Sequence, residues 1–447
     1  MRKIAACYWG ALALLTLLWL AANPVLPSGF FAWRSALSQY SGVLGMAVMS
    51  VAMLLAMRPT WLEGRLGGLD KMYRLHKWLG IAALVVSIAH WAVSQGPKWL
   101  RALGLLSGGR PRRPPMPALD ADSLQQLFQQ WRHSAQGLGE WAFYAAAALL
   151  VLALLRRVPY RYFAKLHRLL PLAYLVLVFH SAVLLDFGNW ATPSGWLLAA
   201  LMAGGSVSAV LSLCRRHIGQ PRVGGHITAL DYQPLLQVLA VDVQLDGRWP
   251  GHQAGQFAFI RFDADEGAHP FTLASAWQGD GRVRILIKAL GDYTRQLPQR
   301  LAVGGTVQLE GPYGRFTFDT ATGGGERRQI WVAGGIGITP FLARMQALAA
   351  APAAQRIDFF HASSADDALI RQQLQQDASA AGVALHLLWQ RSDGRLDAER
   401  LARTVPDWRN ADIWFCGPAG MGQQLRDGLL AMGLPAGRFH QELFQMR

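Results

Sequence analysis

Four histidines stand in two matched pairs along the first half of the chain: His76 and His90 are 14 residues apart, and His167 and His180 are 13 apart. At 1.5 Å of helical rise per residue these steps span roughly 21 and 20 Å. If each pair lies on one membrane-crossing helix and both helices run the same way, His76 faces His167 and His90 faces His180. Each facing pair then offers two imidazoles to one iron, the axial set of a b-type haem. A histidine hydrogen-bonded between helices is the plain alternative for any one of the four; the matched spacing is what argues for pairs. Two stacked macrocycles also suit a hydrocarbon layer of about 30 Å, too thick for one fast electron step. The spacing carries one difficulty. At about 100° per residue, a 14-residue step returns to within roughly 40° of the same helix face, whereas a 13-residue step misses by about 140°. Pro171 lies between His167 and His180, and a proline kink is expected to supply the missing rotation.

The elements that must hold these residues are long apolar runs. Uncharged or nearly uncharged segments lie at 4–22, 35–57, 78–97, 141–155, 169–185 and 190–213, and a bilayer core needs about 20 apolar residues per helix. Six spans are expected, the short fourth one drawing on Gly137 to Glu140. Arg2 and Lys3 before the first run also suit a signal peptide, but the run exceeds a usual apolar core and Ala21-Ala22-Asn23 is a poor cleavage site; a retained helix is expected.

With the N-terminus in the cytoplasm, fourteen Lys and Arg fall on the inner side. Seven fall outside: Arg34, Lys98, Arg101, Arg110, Arg112, Arg113 and Arg132. This bias gives an integral protein of a bacterial inner membrane with both termini cytoplasmic, although six of the seven outer cations sit in one Pro-rich loop, 98–137. The net charge of +15 is thus tied to the bilayer, and no stripe of cations with interleaved aromatics suggests nucleic acid. Cys7, Cys214 and Cys416 are the only cysteines, too few and too scattered for a disulfide framework or an iron–sulfur centre.

Beyond residue 216 the pattern changes to period two. Runs at 235–243, 256–262, 282–290 and 306–310 read as strands between Gly and Pro turns, which a small antiparallel barrel satisfies. After a Gly-rich linker at 319–326, strands near 329–333, 356–361, 383–389 and 412–416 alternate with helical stretches, as in a doubly wound parallel sheet. Three domains are expected, at 1–216, 219–318 and 327–447. Gly334-Gly335-Ile336-Gly337-Ile338-Thr339-Pro340 follows the first parallel strand and opens a helix, where backbone amides can meet a pyrophosphate. A turn that merely allows close packing of strand and helix is the alternative.

Three segments occur in order: His269-Pro270-Phe271-Thr272-Leu273-Ala274-Ser275, Gly334 to Pro340, and Phe415-Cys416-Gly417-Pro418. Together with Leu75-His76-Lys77 and Ala89-His90 they resemble the NADPH oxidase and ferric reductase family over nearly the whole chain. The resemblance implies a ferredoxin-NADP reductase-like module, with an FAD-binding barrel and an NAD(P)H-binding domain, fused to a membrane bundle that carries two haems. It implies that His269, Pro270, Phe271, Thr272 and Ser275 line FAD, that Lys288, Gly291 and Thr294 belong to its phosphate side, and that Gly311 belongs to a turn closing the barrel. Gly334, Gly335, Gly337, Thr339 and Pro340 would take the dinucleotide, with Cys416, Gly417 and Pro418 beside the nicotinamide. Phe444 matches the aromatic residue that stacks on the flavin near the C-terminus, though three residues follow it. A core Phe in a terminal strand is the alternative. Ser363, Ser364 and Arg391 fall where a 2′-phosphate is bound, which favours NADPH over NADH. The acceptor stays open between oxygen, a ferric chelate and a periplasmic redox partner. Oxidases of the family place an Arg in the outer part of the second span, where this chain has Ser38, Gln39 or Tyr40, with Arg34 slightly before them. A transporter with a nucleotide-binding domain would leave the paired histidines unexplained.

Overall fold

The computed structural model describes residues 2–106, 123–155, 157–214, 220–263, 266–318, 327–363, 367–389 and 392–442. The chain divides into two compact units, one made of the apolar helices and the other chiefly of residues 219–446.

The first unit holds α1 (Arg2–Ala22), α2 (Phe30–Ala56), α3 (Thr60–Leu66), α4 (Leu69–Ala102), α5 (Leu124–Leu154), α6 (Tyr160–His167), α7 (Leu170–Leu184) and α8 (Pro193–Leu213). Six helices are long and apolar enough to cross a membrane, the fifth being α6 and α7 taken together. Their ends run past the apolar windows. The helix of α5 begins at Leu124 instead of near 141, because Leu and Gln in its polar first half are good helix formers and the Ser123 side chain caps it by accepting from the Gln126 amide.

The fifth span is broken, and the break precedes Pro171. Proline lacks an N–H and its ring clashes with the carbonyl four residues back, which here is that of His167. Accordingly α6 ends at His167, Arg168 and Leu169 make the joint, and Pro171 sits in the first turn of α7. The expected rotation is present, but as a two-segment joint and not a bend at the proline. Packing runs mainly through α2 with α8 and α5 with α7. A buried hydrogen bond of 2.8 Å joins Ser50 of α2 to Tyr174 of α7.

The second unit opens with β1 (Arg222–Gln233), β2 (Val238–Leu245), β3 (Phe257–Arg261), β4 (His269–Thr272), β5 (Arg282–Lys288), α9 (Asp292–Arg300) and β6 (Thr306–Tyr313). They form an antiparallel sheet in the order β4-β3-β6-β1-β2-β5. A bridge from Leu273 to Ile285 joins its two edges, so the sheet closes on itself around Val241, Val243, Ile260, Ile285, Ile287 and Leu309. Alternate residues of β2 and β5 are buried, the period-two signature of a wall with one wet face.

Next come β7 (Gln329–Gly334), α10 (Thr339–Ala350), β8 (Ile357–Ser363), α11 (Ala368–Ala380), β9 (Ala384–Trp389), α12 (Ala398–Thr404), β10 (Asp412–Cys416), α13 (Ala419–Ala431) and β11 (Phe439–Gln441). The strands are all parallel, in the order β11-β10-β7-β8-β9. Every residue of β7 and β10 is buried, as helices on both faces require. The order reverses between β7 and β10, and ligands of such sheets bind at the carboxyl ends of the strands at that point.

Candidate functional site

In the membrane unit the histidines meet in the expected pairs. The rings of His76 and His167 lie 6.1 Å apart between centroids, and those of His90 and His180 lie 6.4 Å apart. Two metal–nitrogen bonds of roughly 2 Å plus two imidazole radii come to roughly 6 Å, so either gap fits one iron held between two rings. The hydrogen bonds agree with that chemistry. Nδ1 of His76 donates to the Ala52 carbonyl at 3.0 Å, Nδ1 of His90 to the Ser38 carbonyl at 3.1 Å, and Nδ1 of His180 to the Ala135 carbonyl at 2.9 Å. A carbonyl can only accept, so Nδ1 carries the proton in all three and Nε2 keeps its lone pair for a metal. His167 differs, since its buried Nδ1 has no hydrogen-bond partner among the described residues.

Gly139 makes room for one of these rings. A Cβ there would stand 1.9 Å from Nδ1 of His180, so only a glycine lets α5 pass this close. Between His90 and His180 opens a cleft lined also by Gly42, Met46, Leu84, Ser94, Gln95, Gln136 and Glu140. Of the second-span residues, Gln39 ties the α7 end through Leu184 and Asp186, and Tyr40 meets Thr16. Arg34 donates to the carbonyls of Val93 and Ser94.

In the second unit, His269 to Thr272 form the edge strand β4 and His269 stacks on Tyr293, with centroids 4.7 Å apart and planes 17° from parallel. Burial lowers the His269 pKa and pushes the Tyr293 hydroxyl up to about 12, with Asp263 adding to the rise. Thr272 is buried and Ser275 accepts from the Arg284 amide. Tyr293 escaped the sequence reading; its buried hydroxyl lacks a partner among the described residues, and the only signal was its place in Gly291-Asp292-Tyr293-Thr294. Thr294 Oγ1 accepts from the amides of Leu290 and Gly291 and so holds the turn that opens α9. One expectation changes. Gly311 lies inside β6, where a Cβ would press on Ala258 and Trp249; it belongs to the barrel wall and not to a turn.

At the switch point the two remaining motifs come together. A Cβ on Gly337 would stand 2.2 Å from the Cys416 carbonyl oxygen, and one on Gly417 would stand 2.9 Å from the Gly334 nitrogen. The glycines therefore let the turn after β7 and the segment after β10 lie backbone to backbone. Gly335 takes a positive φ of 54°, and the Lys288 ammonium, from the barrel, lies 3.8 Å from where its Cβ would be. Thr339 and Pro340 open α10. Cys416 is fully buried at the end of β10, and burial, helped by Glu442, pushes its thiol pKa well up. Pro418 abuts Gly334. His361 is buried beside the same turn with its pKa lowered by burial to about 4, and its Nε2 donates to the Gly335 carbonyl at 3.4 Å. Ser363 is buried at the end of β8. Ser364, Arg391 and Phe444 lie outside the described residues.

Family models match the chain in three places: a ferric reductase like transmembrane component over residues 41–178, an FAD-binding domain over 236–317, and an oxidoreductase NAD-binding domain over 331–427. An NADPH oxidoreductase of Mycobacterium tuberculosis is 27% identical over 221 residues, covering 48% of this chain and 53% of the relative. A flavohemoprotein of Pseudomonas aeruginosa is 28% identical over 205 residues, covering 43% and 51%. The chain spans about half the length of the curated relatives it matches. A solved flavohemoglobin from Malassezia yamatoensis with bound FAD and haem aligns at 21% identity and a TM-score of 0.47, over 72% of this chain and 91% of that one. An apolar six-helix half, an FAD-binding barrel and a parallel NAD-binding sheet follow one another in the order of the matched families, an arrangement that matches a ferric reductase/NADPH oxidase-like fusion.

Proposed function

We propose that this protein carries electrons from NAD(P)H on the cytoplasmic side, through FAD and two b-type haems, to an acceptor on the outer side of a bacterial inner membrane. The observation that carries the reading is the pairing of four imidazoles at two levels, 6.1 and 6.4 Å apart. His76 with His167 would hold the inner haem, and His90 with His180 the outer. Bound flavin splits a hydride into single electrons, and bound haems relay these across the lipid.

The chain's own part is to bind, orient and exclude water. Carbonyls of Ala52, Ser38 and Ala135 fix three ring orientations. His269, stacked on Tyr293, walls the flavin side of the barrel. Gly334, Gly337 and Gly417 draw the turn after β7 against the segment after β10, where the dinucleotide would sit at the strand ends, and the uncharged Cys416 thiol keeps the nicotinamide side dry. Ser363 supports NADPH as donor, with Arg391 adding a cation in sequence. The bias of fourteen inner against seven outer cations supports cytoplasmic termini.

Purified chain loaded with FAD and haem is reduced anaerobically with NADPH or NADH while the flavin and the haem Soret and alpha bands are followed. Flavin bleaching followed by reduction of both haems is expected. His180→Ala and His167→Ala should each remove about half the haem. Flavin reduction with no change in any haem band would overturn the reading.

A further inference from the structure

His361 is a polar ring at a place where an apolar one would pack. It lies in β8, level with Ala333 of β7, and only 8% of it is exposed. Its ring rests on Phe359, with centroids 6.3 Å apart and planes 27° from parallel. Nδ1 is buried without a partner among the described residues, and burying a ring nitrogen that meets no donor is unfavourable. The other nitrogen gives the reason for the residue. Nε2 lies 3.4 Å from the Gly335 carbonyl, and a carbonyl can only accept, so Nε2 carries the proton. Burial holds the pKa down at about 4. At neutral pH the ring is therefore an uncharged donor and puts no cation under the turn.

What that donor does follows from the peptide unit it holds. Gly335 takes a φ of 54°, a left-handed setting that favours glycine, and begins the short 3-10 turn Gly335–Ile338 that leads into α10. In a planar trans peptide unit the C=O and the next residue's N–H point opposite ways. A Gly335 carbonyl drawn toward β8 therefore turns the Ile336 N–H away from β8. On its other side β7 has β10, and the sheet order reverses there, which is where a dinucleotide crevice belongs. Amides ahead of a helix start hold phosphate oxygens.

We propose that His361 is a positioning residue for the nicotinamide dinucleotide, aiming the Ile336 amide at the pyrophosphate by holding the Gly335 carbonyl back. That role rests on the NAD(P)H reading above and deepens it. NADH and NADPH share the pyrophosphate, so the ring serves both and takes no part in choosing between them. It acts on binding alone, which leaves the hydride step unchanged once the nucleotide is seated.

Full-length, FAD-loaded protein is titrated with NADP+ and with NAD+ by calorimetry, and flavin reduction by NADPH and by NADH is timed without oxygen. His361→Phe and His361→Leu both lack the donor. In each, Kd should rise about tenfold for both nucleotides, the worth of one hydrogen bond to a charged group. The limiting rate of flavin reduction, the FAD content and the flavin spectrum should stay as in the parent. His361→Gln, whose amide nitrogen reaches to the level of Nε2, should restore most of the affinity. An unchanged Kd in the Phe and Leu variants overturns the proposal. Equal weakening in the Gln variant reduces His361 to packing and overturns it as well, and a rise confined to NADP+ makes the ring a 2′-phosphate contact instead. Loss of FAD from both donor-less variants assigns His361 to folding only. If the parent binds both nucleotides but its flavin is not reduced, the electron-transfer function fails while the comparison of Kd values still decides the role of His361.

Discussion

One methyl group separates a working seat from a blocked one at position 139. Gly139→Ala would force its Cβ into the His180 ring, 1.9 Å away in the present geometry, and the ring could no longer reach the Ala135 carbonyl. We expect this variant to retain about half the haem, with the low-spin resonance signal of one centre lost and NADPH-dependent flavin reduction intact; full haem content would refute the packing argument. At the nucleotide turn, His361 makes folding pH-dependent. Its folded pKa of about 4 lies below the 6.5 of the free side chain, so above pH 6.5 it is neutral in both states. As pH drops, the unfolded chain takes a proton that the folded chain refuses, and stability on the order of 3 kcal/mol is lost between about pH 6.5 and 4. Flavin release on heating should show this slope, and His361→Phe should flatten it in part, since His252 and His269 are shifted the same way by burial. The histidine pairs were legible in the sequence because a lone ionisable group in an apolar run announces itself. Gly139 and Tyr293 were not: a glycine in a span and a tyrosine in a turn look ordinary until a ring is placed against them.

Among the elements, the joint between α6 and α7 does what a straight helix could not. His167 closes one segment and His180 lies in the next, so the 13-residue step need not obey the helical period. Inserting one Ala after Arg168 should turn His180 about 100° away from His90 and cost the outer haem signal, whereas the same insertion in the α1–α2 connection should be silent. Proline signalled a break but not its position, which follows from the carbonyl it blocks. Strand β1 went unread because Gly224-Gly225 and its exposed second half lack a strand's composition, and β4 because Pro270 sits inside it. The alternation in β2 and β5 and the unbroken apolar runs of β7 and β10 were readable because one face, or both, must be dry.

At the scale of the chain, the proposed topology has six spans return the C-terminus to the cytoplasmic side where the N-terminus began. A fluorescent protein fused after Arg447 should therefore be bright in intact cells, and alkaline phosphatase at the same place inactive; the reverse pattern would invert the electron path. Domain order was visible from changes in hydrophobic period alone, whereas the reach of α4 and α5 beyond their apolar windows was not, because helix propensity continues where lipid ends. The three imidazole contacts to main-chain carbonyls of α2 and α5 have a last consequence. No substitution of a side chain deletes an acceptor that every residue carries, so positions 38, 52 and 135 are free to drift among small residues over evolutionary time. The proposed iron-binding chemistry would thereby be buffered against mutation, and comparative searches for a preserved polar supporting layer would meet little beyond Ser41, whose hydroxyl also lies 3.0 Å from Nδ1 of His90.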